Sequence, residues 1–201
     1  VVLSSRGQTN STEWNLGSVT QKIVNLAQIS LLIVRPPMPN EQAGANLPKE
    51  IAYRKILVPL DASQRSECVL PAAIMLSQKH HAHVLLAHVV QRPPMPRRTP
   101  LTKKERSLSD AIMELNRVDA EKYLSGLKDR FTQPASVHVL ESDSISLALH
   151  QLAEQEQCDL IMLSAHGHTP NVAWPYGSLV ASFVAHGRTN VMIIQDMQQT
   201  G

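Results

Sequence analysis

The sequence predicts an α/β protein: a five-stranded parallel sheet with helices on both faces, plus a partial second copy of the same unit at the amino-terminal end. Three observations carry this. From Tyr53 onward, short apolar runs alternate with stretches of helical period, the pattern of parallel strands joined by helical crossovers. The apolar runs are continuous rather than alternating, as in strands buried on both faces. A segment from the start of the chain also returns near its end, and such an internal repeat decides how the whole chain is divided.

The repeat has an offset of 160 residues. Leu3 to Ser18 reads LSSRGQTNSTEWNLGS, and Leu163 to Ser178 reads LSAHGHTPNVAWPYGS. Leu3, Ser4, Gly7, Thr9, Trp14, Gly17 and Ser18 all meet identical residues under it, and the two Trp residues of the chain coincide. Each motif leads into a helical stretch and then an apolar run, ISLLIVR or NVMIIQ. Only the second copy is preceded by a full set of strands. Residues 1–35 therefore read as the carboxyl-terminal remnant of a first repeat. With Val rather than Met at its start, the chain reads as a fragment. Residues 36–52, rich in Pro, Ala and Asn without apolar period, read as a linker. Residues 53–198 read as the complete domain.

Within that domain, KILVPL (Lys55 to Leu60) is the first strand and ends at Asp61. Ser63 can cap the following helix, on which Val69, Ala72, Ala73 and Leu76 share a face. Ala82 to Val90 is the second strand. QRPPMPRRTP reads as an exposed loop, since its prolines exclude a helix interior. Glu105 to Lys128 is helical and Ser136 to Leu140 is the third strand. Asp143 caps a helix that runs through Gln155 and buries Ile145, Leu149 and Leu152. Leu160 to Leu163 and Val191 to Ile194 complete the sheet. Ligands of such sheets bind beyond the carboxyl ends of the strands. Asp61, Val89 and the residues from Ser164 to Gly167 all fall there.

Gly167 is followed by nine residues and then by Gly177-Ser178, which opens a helix. Glycine lets a backbone approach a ligand closely, and a helix start offers N–H groups and positive dipole to phosphate. Glycines also turn corners and serines cap helices, so the loop alone leaves both readings open. It is neither a Walker loop nor a dinucleotide fingerprint.

KILVPLDAS, VLPAAIMLS, LLAHVV and LIMLSAHG, followed by the glycine-serine pair and an apolar strand, resemble the universal stress protein family. The resemblance covers residues 53–196 and, in the first copy, residues 1–35. It implies a five-stranded parallel sheet, and pairing through the last strand as a homodimer or between tandem repeats. One branch of the family binds ATP through G-x-x-G, nine residues, G-S/T. Carried over by position, Asp61 would lie by the adenosine and Val89 against the adenine. Leu163, Ser164, Gly167, Gly177 and Ser178 would form the phosphate and ribose side, with ATP or AMP as ligand and Mg2+ accompanying it. Ser164 departs from the pattern, which has glycine there. Its Cβ would crowd a phosphate, or its hydroxyl would bond one. Pro170 and Pro175 remove two N–H donors from the loop.

The formal charge of +2 gives no reason to expect a nucleic-acid partner. No apolar run reaches the ~18 residues of a membrane span. Cys68 and Cys158 suit a reducing cytoplasm and read as buried apolar residues. His80 and His81 read as a helix end and His83 and His88 as opposite strand faces, rather than as metal ligands. His166 and His168 flank Gly167 and stand as phosphate contacts or exposed loop residues, while Arg97, Arg98, Lys103 and Lys104 form a basic tip. No nucleophile–base pair stands at a defined spacing, which leaves at most a weak ATPase. Two functions remain: a nucleotide-binding regulatory module of the stress response, or a dimerising interaction protein of the same fold without nucleotide.

Overall fold

A computed structural model describes residues 1–4, 18–26, 29–35, 52–93, 102–167 and 176–195. The expected linker at 36–51, the proline-rich loop from 94 with Arg97 and Arg98, and the loop residues His168, Pro170 and Pro175 lie outside these.

Seven strands form one sheet. They are β1 (Val2–Ser4), β2 (Leu31–Val34), β3 (Lys55–Pro59), β4 (His83–Val90), β5 (Ala135–Glu141), β6 (Leu160–Ser164) and β7 (Asn190–Ile194). Five helices accompany them: α1 (Ser18–Leu26), α2 (Leu70–His80), α3 (Lys103–Lys128), α4 (Ile145–Gln155) and α5 (Ser178–His186). The order across the sheet is β1-β2-β7-β6-β3-β4-β5.

The five strands expected from Tyr53 onward are present and mutually parallel. Two corrections follow from the amino-terminal segment. The sheet has seven strands, not five, because β1 and β2 join it. It is mixed, because β2 runs antiparallel to β7. For the same reason β7 is interior and not an edge: Ile193 lies opposite Leu31 and is fully buried. Pairing through the last strand is thus made within the chain.

The strands read as continuous apolar runs because both faces are covered. Leu57, Leu85, Ile161 and Ile193 point to one core with Leu149, Leu152 and Phe183. Ile56, Val58, Val84, Leu86 and Met162 point to the other, with Leu70, Ala73 and Leu124. At about 25 cal/mol per Å2 of apolar area, these two layers are the main source of stability. A capping box starts α3, with Thr102 Oγ1 accepting from Glu105 N at 3.2 Å and Glu105 returning to Thr102 N at 2.9 Å. For α4 the cap is Ser144 rather than Asp143, its Oγ accepting from Leu147 N at 3.4 Å. His81 ends α2 in the left-handed conformation. No described helix is long and apolar enough to cross a membrane.

Candidate functional site

The carboxyl ends of β3, β4 and β6 and the start of α5 enclose a cleft of about 390 Å3. All seven residues singled out from the sequence line it: Asp61, Val89, Leu163, Ser164, Gly167, Gly177 and Ser178. Parallel strands bring them together, since β6 between β3 and β7 holds its carboxyl end beside that of β3.

Asp61 stands just beyond β3, and the chain turns sharply after it. Ala62 has φ of 63°, a left-handed angle rare for a residue with a Cβ. The turn is held by the carboxylate itself, whose Oδ1 accepts from Ser63 N at 3.0 Å and Ser63 Oγ at 2.6 Å. Ser63 Oγ also accepts from Ser66 N at 3.1 Å, although the capping position of the 3-10 turn Ser66–Val69 is Arg65 and not Ser63. Across the cleft, Gly167 packs against this carboxylate so closely that a Cβ on it would collide with Asp61 Oδ2. A side chain at 167 would therefore displace the Asp61 carboxylate that forms the cleft's wall.

Gly177 differs. Its φ of −68° suits any residue, and an added Cβ would meet Ala165 O at 3.6 Å, an ordinary contact. Its N–H is spent on Ala165 O at 2.7 Å, which closes the loop onto β6. As the residue before α5 it offers no side-chain cap. The N–H groups of a helix's first turn have no intrahelical acceptor.

Ser164 lines the cleft and is hydrogen-bonded within the protein. Its hydroxyl donates to His166 O at 2.7 Å and accepts from Cys68 Sγ at 3.4 Å. It is turned onto the protein's own loop. Cys68 is accordingly half-buried rather than part of the core, whereas Cys158 is buried and its thiol is pushed up to about 12 by loss of solvent.

Several lining residues carry no sequence signal of their own. His88 Nδ1 lies 2.8 Å from Leu60 O, and Ser66 Oγ lies 3.4 Å from Asp61 N. Ile145 and Leu149 form an apolar wall, with Ile145 39% exposed at the mouth instead of buried as its spacing suggests. Ile145 is the first residue of α4, which follows the carboxyl end of β5. His83 and His88 have separate partners. His83 Nε2 and His138 Nε2 each lie 2.9 Å from Ser136 Oγ, on the side of the sheet's amino ends. That serine–imidazole contact is legible only in three dimensions. Its residues do not line the cleft.

A family model described as the universal stress protein family matches residues 52–195. No curated protein matches the chain. Among solved structures, a universal stress protein from Lactobacillus plantarum has 20% identity and a TM-score of 0.63, covering 72% of this chain and 99% of its own. A universal stress protein in complex with cAMP has 16% identity and a TM-score of 0.50, covering 72% and 98%. A functionally unknown protein from Pseudomonas aeruginosa has 11% identity and a TM-score of 0.68, over 96% of this chain but 61% of that one. These likenesses establish a shared fold.

Proposed function

Because the chain belongs to the universal stress protein family, we propose that it is a nucleotide-binding regulatory module of the stress response, taking ATP or AMP in the cleft beyond β3, β4 and β6. The observation that carries this reading is the convergence of Asp61, Val89, Leu163, Ser164, Gly167, Gly177 and Ser178 on one cleft. Its volume lies within the range of small-molecule sites, about 300–1,000 Å3. Val89 and Leu163 offer an apolar surface to a base, Asp61 an acceptor to ribose hydroxyls, and the uncapped start of α5 its N–H groups to phosphate. Asp61 is the one carboxylate among the described lining residues. A single carboxylate with nucleotide phosphates suits Mg2+. The neighbour solved with cAMP supports a nucleotide as the ligand class.

Residues 1–35 form, in this reading, the carboxyl-terminal part of a second, incomplete repeat. Its strand β2 pairs with β7 in place of a partner subunit, so a homodimer would need another surface. Cys68 and Cys158 are both thiols, which suits the cytoplasm.

The second reading, an interaction protein without nucleotide, is favoured by one observation: Ser164 at the first motif position, with its hydroxyl tied to His166 O. Mass spectrometry of small molecules released from freshly purified, denatured protein separates the two. Adenine nucleotide at near one equivalent supports the first. Nucleotide-free protein that also gives no heat with ATP or AMP by calorimetry leaves the second.

A further inference from the structure

Helix α3 is apolar on two sides. At about 100° per residue, Met113, Ala120, Leu124 and Leu127 share the side that is buried. Roughly opposite them run Leu108, Ile112 and Leu115, within about 60° of one another, with Val118 at their border. In sequence order these four are 61%, 36%, 61% and 46% exposed. A surface helix ordinarily turns polar residues to solvent, and α3 does so elsewhere: Arg117 is paired with Glu114 and Glu121 away from this stripe. A contiguous apolar stripe left in water marks a contact surface. It lies far from the amino-terminal segment. α3 packs on β4 and β5, and β5 and β1 are the two outermost strands of the sheet, so whatever joins the chain at Val1 does so at the opposite edge.

Charge at the two ends of the stripe decides what fits it. Lys104 and Asp119 stand on the same side of α3 as Leu108 and Ile112, one at each end, and both are exposed. Among the described residues neither takes part in an ion pair. The midpoint of 104 and 119 is 111.5, and so is the midpoint of 108 and 115. Two α3 helices laid antiparallel about a two-fold axis between Ala111 and Ile112 thus set Lys104 of each chain opposite Asp119 of the other, and Leu108 opposite Leu115. Ile112 then meets Ala111, which is small enough to admit it. Laid parallel, the same helices would oppose Lys104 to Lys104 and Asp119 to Asp119. Flanking charges of this kind set the orientation of a helix pair.

We propose that this face of α3 is a self-association surface that takes a second copy of the same chain. The two α3 helices pack antiparallel, with Leu108, Ile112 and Leu115 at the centre and a Lys104–Asp119 pair at each end. With β7 already covered by β2, this is the other surface that a homodimer needs. A strip about 22 Å long on one helix buries less than the ~800 Å2 per partner of a standard interface, so the dimer is concentration-dependent and micromolar.

Sedimentation of the full chain over a concentration series tests this. The expected result is a monomer–dimer equilibrium with its midpoint in the micromolar range. Leu115→Lys, at an exposed position, should leave circular dichroism unchanged and weaken dimerisation by about tenfold or more. Lys104→Asp or Asp119→Lys alone turns both end pairs repulsive and should weaken it by about fivefold. The two changes together restore opposite charges and should return dimerisation to within about twofold of the parent, a recovery specific to the antiparallel register. A chain that stays monomeric into the millimolar range overturns the proposal, as does a dimer indifferent to Leu115→Lys. Loss in both single variants without recovery in the double variant overturns it too. A monomer whose Tm falls by several degrees with Leu115→Lys would show that the chain covers this face itself, and refutes the second copy.

Discussion

The guanidinium of Arg35 donates to the carbonyl of Val184 at 2.8 Å and to that of Phe183 at 2.9 Å. A side chain from the amino-terminal segment thereby caps the last turn of α5, whose first turn faces the cleft. The charge is buried, 9% exposed, and meets the negative end of the helix. A third bond runs from Nε to Thr189 O at 3.1 Å. Arg35→Ala removes these charge-assisted bonds and should cost about 2 kcal/mol, with a fall in Tm of about 4–8 °C by calorimetry. Arg35→Lys keeps the charge without the planar fork and should recover less than half of the loss. A Tm within a degree of the parent for Arg35→Ala would show that the segment is not anchored this way.

Gly167 and Gly177 should separate folding from binding. A methyl at 167 drives the Asp61 carboxylate from its place against the loop, yet the displaced atom is the tip of a side chain. Gly167→Ala should stay folded and bind ATP about tenfold more weakly, the scale of a modest overpacking penalty. At Gly177 an added Cβ makes only an ordinary contact with Ala165 O, so Gly177→Val should leave circular dichroism unchanged, and with a branched side chain at the residue before α5 calorimetric binding should disappear. Retained binding in Gly177→Val would mean that the helix start does not meet the ligand.

Two histidines make stability fall in mild acid. Burial lowers His138 and His150 below the ordinary 6.5, with nearby His186 adding to the shift at His150. The unfolded chain thus takes up protons near 6.5 that the folded chain refuses. Their contribution is complete above 6.5 and is lost as pH falls through the lower folded values. Urea midpoints should drop between pH 7.5 and pH 5, and His150→Asn, which removes one of the two groups, should flatten that slope. An equal slope in parent and variant would remove His150 from the account.

How much of this was legible in the sequence depended on whether the cause was local. Lys55 to Pro59 and Leu160 to Ser164 are apolar on both faces because each lies inside the sheet, and continuous apolar runs announce that directly. Asp61 and Ser164 sit at the carboxyl ends of parallel strands, so their convergence follows from topology. The covering of β7 by β2 has no local signal, because Ile193 would look equally apolar at an edge or beneath Leu31. Ser144 and Asp143 are both good caps, and only backbone geometry chooses between them. Cys68 looks like a core thiol in sequence, but the 3-10 turn Ser66–Val69 carries it toward Ser164 instead.

Ser164 offers the sharpest test of the loop's construction. Steric obstruction and hydrogen bonding to phosphate were the two roles its sequence position suggests. Within the protein its hydroxyl donates to His166 O at 2.7 Å and accepts from Cys68 Sγ at 3.4 Å. The serine is a strut between the 3-10 turn beside Asp61 and the glycine loop. Ser164→Ala keeps the Cβ but removes the strut, and should cost about 1 kcal/mol of stability, the worth of one hydrogen bond. Ser164→Gly removes the Cβ too and adds the entropic cost of glycine in a strand, about 0.5–1 kcal/mol more. Both should therefore lower the urea midpoint, glycine further than alanine. If a phosphate is held by the start of α5, ATP affinity should follow the loop's order and weaken in both variants. Tighter binding by Ser164→Gly than by the parent, measured by calorimetry, would return the side chain to the role of obstruction and refute the strut.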